Sequence, residues 1–132
     1  MKEELILSHT AKIAKEKGFD LEVKTYFTLG LLPPNVGLVI SYDNKKLANF
    51  NEFNDTWSRP TQSLLQKWLR KKHNIEVIPC PHFKRKSYGC EIYHYTEKNE
   101  TGYVPIELGS FNTYEEALEK GLQGALKLIR NK

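Results

Sequence analysis

Two cysteines and two histidines in the second half of the chain are the residue types best suited to chemistry, arranged as Cys80-Pro-His82 and Cys90-x-x-x-His94. Two thiolates and two imidazoles make the donor set of a tetrahedral zinc site. The spacing fits no common finger, because Cys-x-His is tighter than the usual gap between paired ligands. Side chains alternate along a strand, so Cys80 shares a face with His82, and Cys90 shares one with His94. A three-residue turn, Lys84 to Lys86, sets Cys80 opposite Cys90. A four-residue turn, Lys84 to Ser87, pairs Cys80 with Glu91 and sends Cys90 and His94 to the other side. Both registers are compatible with the sequence, and neither rescues the finger spacing, so no metal and no cofactor are expected. A nucleophilic cysteine needs a base and an electropositive setting. His82 and a Lys/Arg turn lie near Cys80, but no third, orienting group is evident. There is also no HxxxH-type helical spacing, Gly-rich phosphate loop or paired-carboxylate motif. The sequence therefore leans away from an enzyme.

Charge offers a second kind of chemistry. The net charge of +4 is unevenly placed: residues 1–56 hold seven Lys/Arg against eight Asp/Glu, and residues 57–132 hold thirteen against eight. Within 59–86 the cations are Arg59, Lys67, Arg70, Lys71, Lys72, Lys84, Arg85 and Lys86, against Glu76 alone. A candidate nucleic-acid surface joins Lys67, Arg70, Lys71 and Lys72 to the turn Lys84, Arg85 and Lys86, with Tyr88, Tyr93, Tyr95 and Tyr103 as stacking platforms. It requires the turn to fold back near the helix end. The plainer reading is a solvated helix face and a polar turn, since charge runs usually only solvate.

The elements that must position these groups follow from periodicity. Thr113 to Lys132 reads as one amphipathic helix, with Tyr114, Ala117, Leu118, Gly121, Leu122, Ala125 and Ile129 at helical spacing. Thr113-Tyr-Glu-Glu116 is a capping box at its start. Ser8 is the expected cap of a first helix that stops at Gly18, with Phe19 as the apolar contact after the stop. Pro60 and Thr61 open another, Gln62 to Lys72, with Leu64, Leu65, Trp68 and Leu69 as its stripe. Strands are expected at 21–28, 36–42, 75–78, 88–96 and 103–108. Leu29 to Asn35 reads as a Pro-rich turn, and 43–59 as an ordered loop pinned by Phe50, Phe53 and Trp57. The order α-β-β-α-β-β-β-α predicts an α+β fold: one domain, 1–132, with an antiparallel sheet of four to five strands packed by three helices.

The small face of Gly121, Gly124 and Ala125 permits close approach of another backbone. It suits tight packing on the sheet, or a homodimer contact between helices. No apolar run approaches the length of a membrane helix, and the N-terminus does not read as a signal peptide. Cys80 and Cys90 are thus expected as reduced thiols in a cytoplasm.

Three stretches stand out: Thr10-Ala-Lys-Ile-Ala-Lys-Glu-Lys-Gly-Phe-Asp20, Pro60-Thr-Gln-Ser-Leu-Leu-Gln-Lys-Trp-Leu-Arg70 and Thr113-Tyr-Glu-Glu-Ala-Leu-Glu-Lys-Gly-Leu-Gln123, the last continuing to Ile129. They resemble the signature blocks of a family of small uncharacterised proteins encoded by phages, prophages and mobile elements of gut bacteria. The resemblance implies a phage or mobile-element protein in a bacterial host cytoplasm, and it carries no catalytic residue. The functional expectation is a non-enzymatic binding or interaction module for a protein or small ligand, with counter-defence a natural role. The alternative is a nucleic-acid-binding protein using the basic 59–86 stretch.

Overall fold

Each helix begins or ends where a local signal sets it. The computed structural model describes residues 4–34, 36–82, 86–106 and 108–130, so Lys84 and Arg85 lie outside the described residues. Helix α1 (Ser8–Glu16) stops in a Schellman arrangement: Gly18, at φ 90°, donates to Lys15 O, and Phe19 donates to Ala14 O. Phe19 then drops into the core. Helix α2 (Gln62–His73) is capped by Thr61, whose hydroxyl accepts from Leu64 N at 3.2 Å, and ends at the left-handed Asn74. Helix α3 (Tyr114–Lys127) opens with the Thr113 hydroxyl accepting from Glu116 N at 3.1 Å.

Three of the expected helix details are corrected. Helix α3 ends at Lys127 instead of running to Lys132, although Ile129 beyond it is still buried; Tyr114 is exposed instead of lying on the stripe. Ser8 does not cap α1. The N-cap residue is Leu7, and its N–H donates to the Glu119 carboxylate of α3 at 3.0 Å. A carboxylate there also complements the positive end of the helix dipole.

The strands form two sheets, not one of four to five strands. The first joins β1 (Val23–Leu29) to β2 (Val39–Ala48) and β3 (Thr56–Ser58), with β1 in the middle; the second joins β4 (Ile75–His82), β5 (Ser87–His94) and β6 (Tyr103–Val104), with β5 in the middle. All pairings between these strands are antiparallel. The break between sheets has a cause on the free edge of β4. Tyr88, opposite Pro81, turns its N–H to Phe111 O at 2.7 Å, away from β4. Pro81 and Pro79 therefore put nitrogens with no proton on the outer edge, where no further strand can be bonded. The outward carbonyl of Val77 is taken by Gln66 Nε2 of α2 at 2.6 Å.

Strand β2 runs through the Asp43-Asn44 pair that reads as a turn. A register shift between Val23 and Thr25 accommodates it, and Asp43 accepts from the Thr25 hydroxyl at 2.8 Å. Pro105 cuts β6 to two residues. The expected loop 43–59 contains a short 3-10 turn (Phe50–Glu52) and β3. Phe50 is buried and stacked on Tyr26 with ring centroids 4.4 Å apart, whereas Phe53 is exposed.

One apolar cluster takes residues from both sheets and all three helices. Leu65, Trp68 and Leu69 of α2 and Leu118, Leu122, Ala125 and Leu126 of α3 are buried in it. Trp68 meets Phe19 edge-on at 5.3 Å and donates from Nε1 to Asp20 at 3.2 Å. The glycine face of α3 is occupied from within. An added Cβ at Gly121 would lie 2.3 Å from Cys90 Sγ and 2.6 Å from Val77 Cγ1, and one at Gly124 would lie 3.2 Å from Ile92 Cδ1. Of the two readings of the Gly121, Gly124 and Ala125 face, close packing on β4 and β5 is the one that uses these small residues, which leaves no open glycine face for the alternative homodimer contact.

A buried polar cluster ties the helices together. The Glu119 carboxylate accepts from Leu7 N, from the Thr10 hydroxyl and from Gln62 Nε2, and Gln123 Nε2 donates to Thr10 Oγ1 at 2.9 Å. Among the described residues no helix is long and apolar enough to cross a membrane.

Candidate functional site

The β4–β5 register separates the cysteines. Cys80 pairs with Gly89 and Pro79 with Cys90, in a register that sets His82 opposite Ser87 at the end of the two strands. This is neither of the registers considered from sequence. Cys80 and His82 face outward, and the His82 ring lies across Gly89, where a Cβ would be 2.5 Å from Nε2. Cys90 faces inward against α3, and His94 shares its face by strand alternation. The sheet stands between the two pairs. Burial, with Cys80 nearby, pushes the Cys90 thiol up to about 12, and burial also raises Cys80. Neither thiol is activated as a nucleophile.

The outer face of the second sheet is aromatic. Tyr93 lies 5.8 Å from Tyr103 and 6.3 Å from Tyr95, centroid to centroid, and Tyr95 and Tyr103 are exposed. Its charge is the wrong sign for phosphate: Glu91, on the same face, accepts from Tyr93 Oη at 2.7 Å, and that bond holds the phenol up to about 12.

The basic stretch is divided by the fold. Arg70, Lys71 and Lys72 lie in the last turn of α2, just before the start of β4, whereas Lys86 lies beyond the end of that eight-residue strand, a separation of about 26 Å at strand rise. Arg70 is bridged to Glu76 at 3.4 Å and Lys72 to Asp20 at 3.5 Å. Exposed bridges of this kind are weak but lower the local potential.

What the structure does bring together is a different set. Lys67 and Arg70 line a groove of about 670 Å³ between α2 and the first sheet, along with Lys24 of β1 and Arg59. Glu22 is its one acidic lining residue, and Leu47, Leu64 and Val23 supply apolar wall. Arg59 is the anchored cation. Its Nε donates to Ile6 O at 2.7 Å, its Nη1 to Ser41 Oγ at 3.1 Å, and its guanidinium lies over the Phe27 ring at 4.6 Å. Desolvation by burial lowers its pKa, opposed by the more distant charges of Glu119, Glu4 and Asp43. Sequence reading placed Arg59 in the charge count but in no site, and missed Lys24, because β1 and α2 are distant along the chain.

A second surface lies at the Pro-rich turn. Beyond β1 and β2 the hairpin continues through Gly30, which donates to Leu38 O at 2.8 Å and accepts from Gly37 N at 2.9 Å. At this tip Leu31 is 87% exposed, Leu32 77%, Val36 58% and Leu38 57%, with Leu29 and Val39 also exposed beside them. Single exposed apolar residues are ordinary; six on one hairpin form a patch. No protein-family model, no curated protein and no solved structure matches this chain.

Proposed function

We propose that this chain is a non-enzymatic interaction module that docks a protein partner through the β1–β2 hairpin. The observation that carries the reading is the apolar tip, Leu29 to Val39, which leaves Leu31 and Leu32 almost wholly in water. Burying such side chains stabilises a contact by about 1.5–3 kcal/mol each, so a partner with an apolar groove gains strongly from covering them. Strand β2 supports this role. It is an edge strand, exposed along most of its length, whose unpaired backbone can add to a partner's sheet. Its Lys45 and Lys46 discourage self-pairing while leaving a charged rim to orient the encounter.

The resemblance to proteins of phages and mobile elements supplies the biological side of the proposal: a product acting in a bacterial host cytoplasm on a host protein, with counter-defence as the role. Nucleic-acid binding through Lys67, Arg70, Lys71, Lys72, Lys84, Arg85 and Lys86 is the second reading. The separation of α2 from Lys86 and the carboxylates on Arg70 and Lys72 weigh against it.

The test compares wild type with Leu31→Asp/Leu32→Asp and with Lys71→Glu as bait in lysate of a gut bacterium. The purified candidate partner is then titrated directly. A partner bound by wild type and by Lys71→Glu, and lost at least tenfold with the hairpin variant, supports the reading. Equal binding by all three baits removes it. Loss of binding with Lys71→Glu alone, together with nucleic acid in the captured material, transfers the assignment to the second reading.

A further inference from the structure

We infer that the groove between α2 and the first sheet is a binding site for a small phosphorylated ligand of nucleotide size. This inference does not rest on the hairpin, which is a separate surface. Four cationic residues line the groove from three segments: Lys24 from β1, Arg59 from the connection after β3, and Lys67 and Arg70 from one face of α2. Lys67 and Arg70 are three residues apart, so they point the same way off the helix. With Glu22 as its one carboxylate the lining carries a net charge of +3, and Glu119, Glu4 and Asp43 act on Arg59 from outside it. Among the described residues no carboxylate comes within ion-pair distance of Lys24, Arg59 or Lys67.

Arg59 gives the groove a built anchor, not merely a flexible charge. Two of its nitrogens and its planar face are fixed by Ile6, Ser41 and Phe27. Nη2 makes no hydrogen bond among the described residues. A guanidinium held in this way has little entropy left to lose when it meets an oxyanion. Arg70 is tied only by an exposed bridge to Glu76, which a phosphate can outcompete. Thr25, Thr61 and Ser63 add hydroxyl-bearing residues to the lining.

The ligand is more than bare phosphate. Leu47, over half exposed, and Leu64 face the same groove. An apolar wall beside a cationic rim fits an amphiphilic anion, with a flat ring on the leucines and phosphates on the cations. The volume of about 670 Å³ is that of a typical small-ligand pocket.

Calorimetric titration with ATP, adenosine and inorganic phosphate at low ionic strength tests the inference, using wild type, Lys67→Ala, Lys24→Ala and Lys71→Ala. Saturable one-to-one ATP binding is expected, weakened about tenfold in Lys67→Ala and in Lys24→Ala, the loss usual for a charge-assisted hydrogen bond. It should be unchanged in Lys71→Ala, whose cation lies outside the groove, and much tighter than binding of adenosine or phosphate. Arg59→Lys, which keeps the charge but not the fork, should weaken ATP in the same way. Its melting temperature, read alongside, separates loss of the site from loss of the fold. Absence of saturable ATP binding overturns the inference. So does equal weakening by Lys71→Ala and Lys67→Ala, which marks diffuse charge. Equal affinity for phosphate and ATP overturns the nucleotide assignment.

Discussion

Gly121 and Gly124 lie on the same helix, three residues apart, and the structure assigns opposite signs to the same substitution at each. In an isolated helix, Gly→Ala stabilises by about 1 kcal/mol at either position. At Gly124 the new Cβ would meet Ile92 Cδ1 at 3.2 Å and Leu108 at 3.4 Å, both ends of side chains that can shift by a few tenths of an ångström. Most of the propensity gain should survive, for a net gain of about 0.5 kcal/mol. At Gly121 the Cβ would sit 2.3 Å from Cys90 Sγ and 2.6 Å from Val77 Cγ1. Both belong to short side chains on strands, so the helix must lift from the sheet. Overpacking of this kind costs about 1–3 kcal/mol, and two simultaneous clashes put it near the upper end. Subtracting the propensity gain leaves Gly121→Ala destabilised by about 1–2 kcal/mol. For a chain of 132 residues, 1 kcal/mol shifts Tm by about 4 °C, so thermal unfolding should fall by about 4–8 °C for Gly121→Ala and rise by about 2 °C for Gly124→Ala. Adding Cys90→Ala to Gly121→Ala removes the shorter clash. The double variant should be more stable than the sum of the single effects by at least about 0.5 kcal/mol, a coupling expected only of residues in contact. If both glycine variants raise Tm equally, α3 does not pack on β4 and β5 as described.

Further outcomes follow from other contacts. Glu119→Ala leaves Leu7 N, the Thr10 hydroxyl and one Gln62 bond without their acceptor, and should cost about 2–4 kcal/mol in urea unfolding; a loss under 0.5 kcal/mol would mean that the carboxylate is not buried among them. Trp68→Ala should cost about 3–5 kcal/mol, and an unchanged melting temperature would remove α2 from the core. The folded Cys90 thiol, held up to about 12 against an ordinary 9.0, favours the neutral form; its contribution is complete below pH 9.0 and is lost as pH rises towards 12, so the urea midpoint should fall over that interval, and less so in Cys90→Ala. Alkylation by iodoacetamide near pH 8, followed by mass spectrometry, should modify Cys80 before Cys90; the reverse order would contradict the inward face given to Cys90.

Signals carried within a few residues were legible in the sequence. Thr61, Thr113, Gly18 and Asn74 each set a helix end through bonds to neighbours no more than five positions away, so all three helices could be placed. Five of the six strands were legible too, β3 lying inside the expected loop 43–59, but strand association was not. The division into two sheets depends on the direction in which Pro79 and Pro81 present their nitrogens, and that is fixed only once β4 is paired with β5. The register was missed for a related reason: moving the turn by one residue exchanges the faces of Cys80 and Cys90. Ser8 was a reasonable cap on local grounds, yet an acceptor from residue 119 took the place. The groove joins Lys24 to Lys67, and no spacing rule links residues so far apart. The hairpin tip was overlooked because Leu31 and Leu32 sit beside paired prolines, and a turn is not where apolar side chains are usually sought.

The cluster around Glu119 also bears on the order in which the chain acquires its structure. Its bonds to Leu7 and Thr10 span more than a hundred residues, so the beginning of the first helix is secured by a residue synthesised long after it. During synthesis α1 has its Schellman stop but lacks the acceptor for its first turn. Isolated helices of nine residues are marginal in water, so α1 should flicker on the nascent chain until α3 emerges. A chain arrested before residue 119 should leave α1 open to protease, and emergence of α3 should close it.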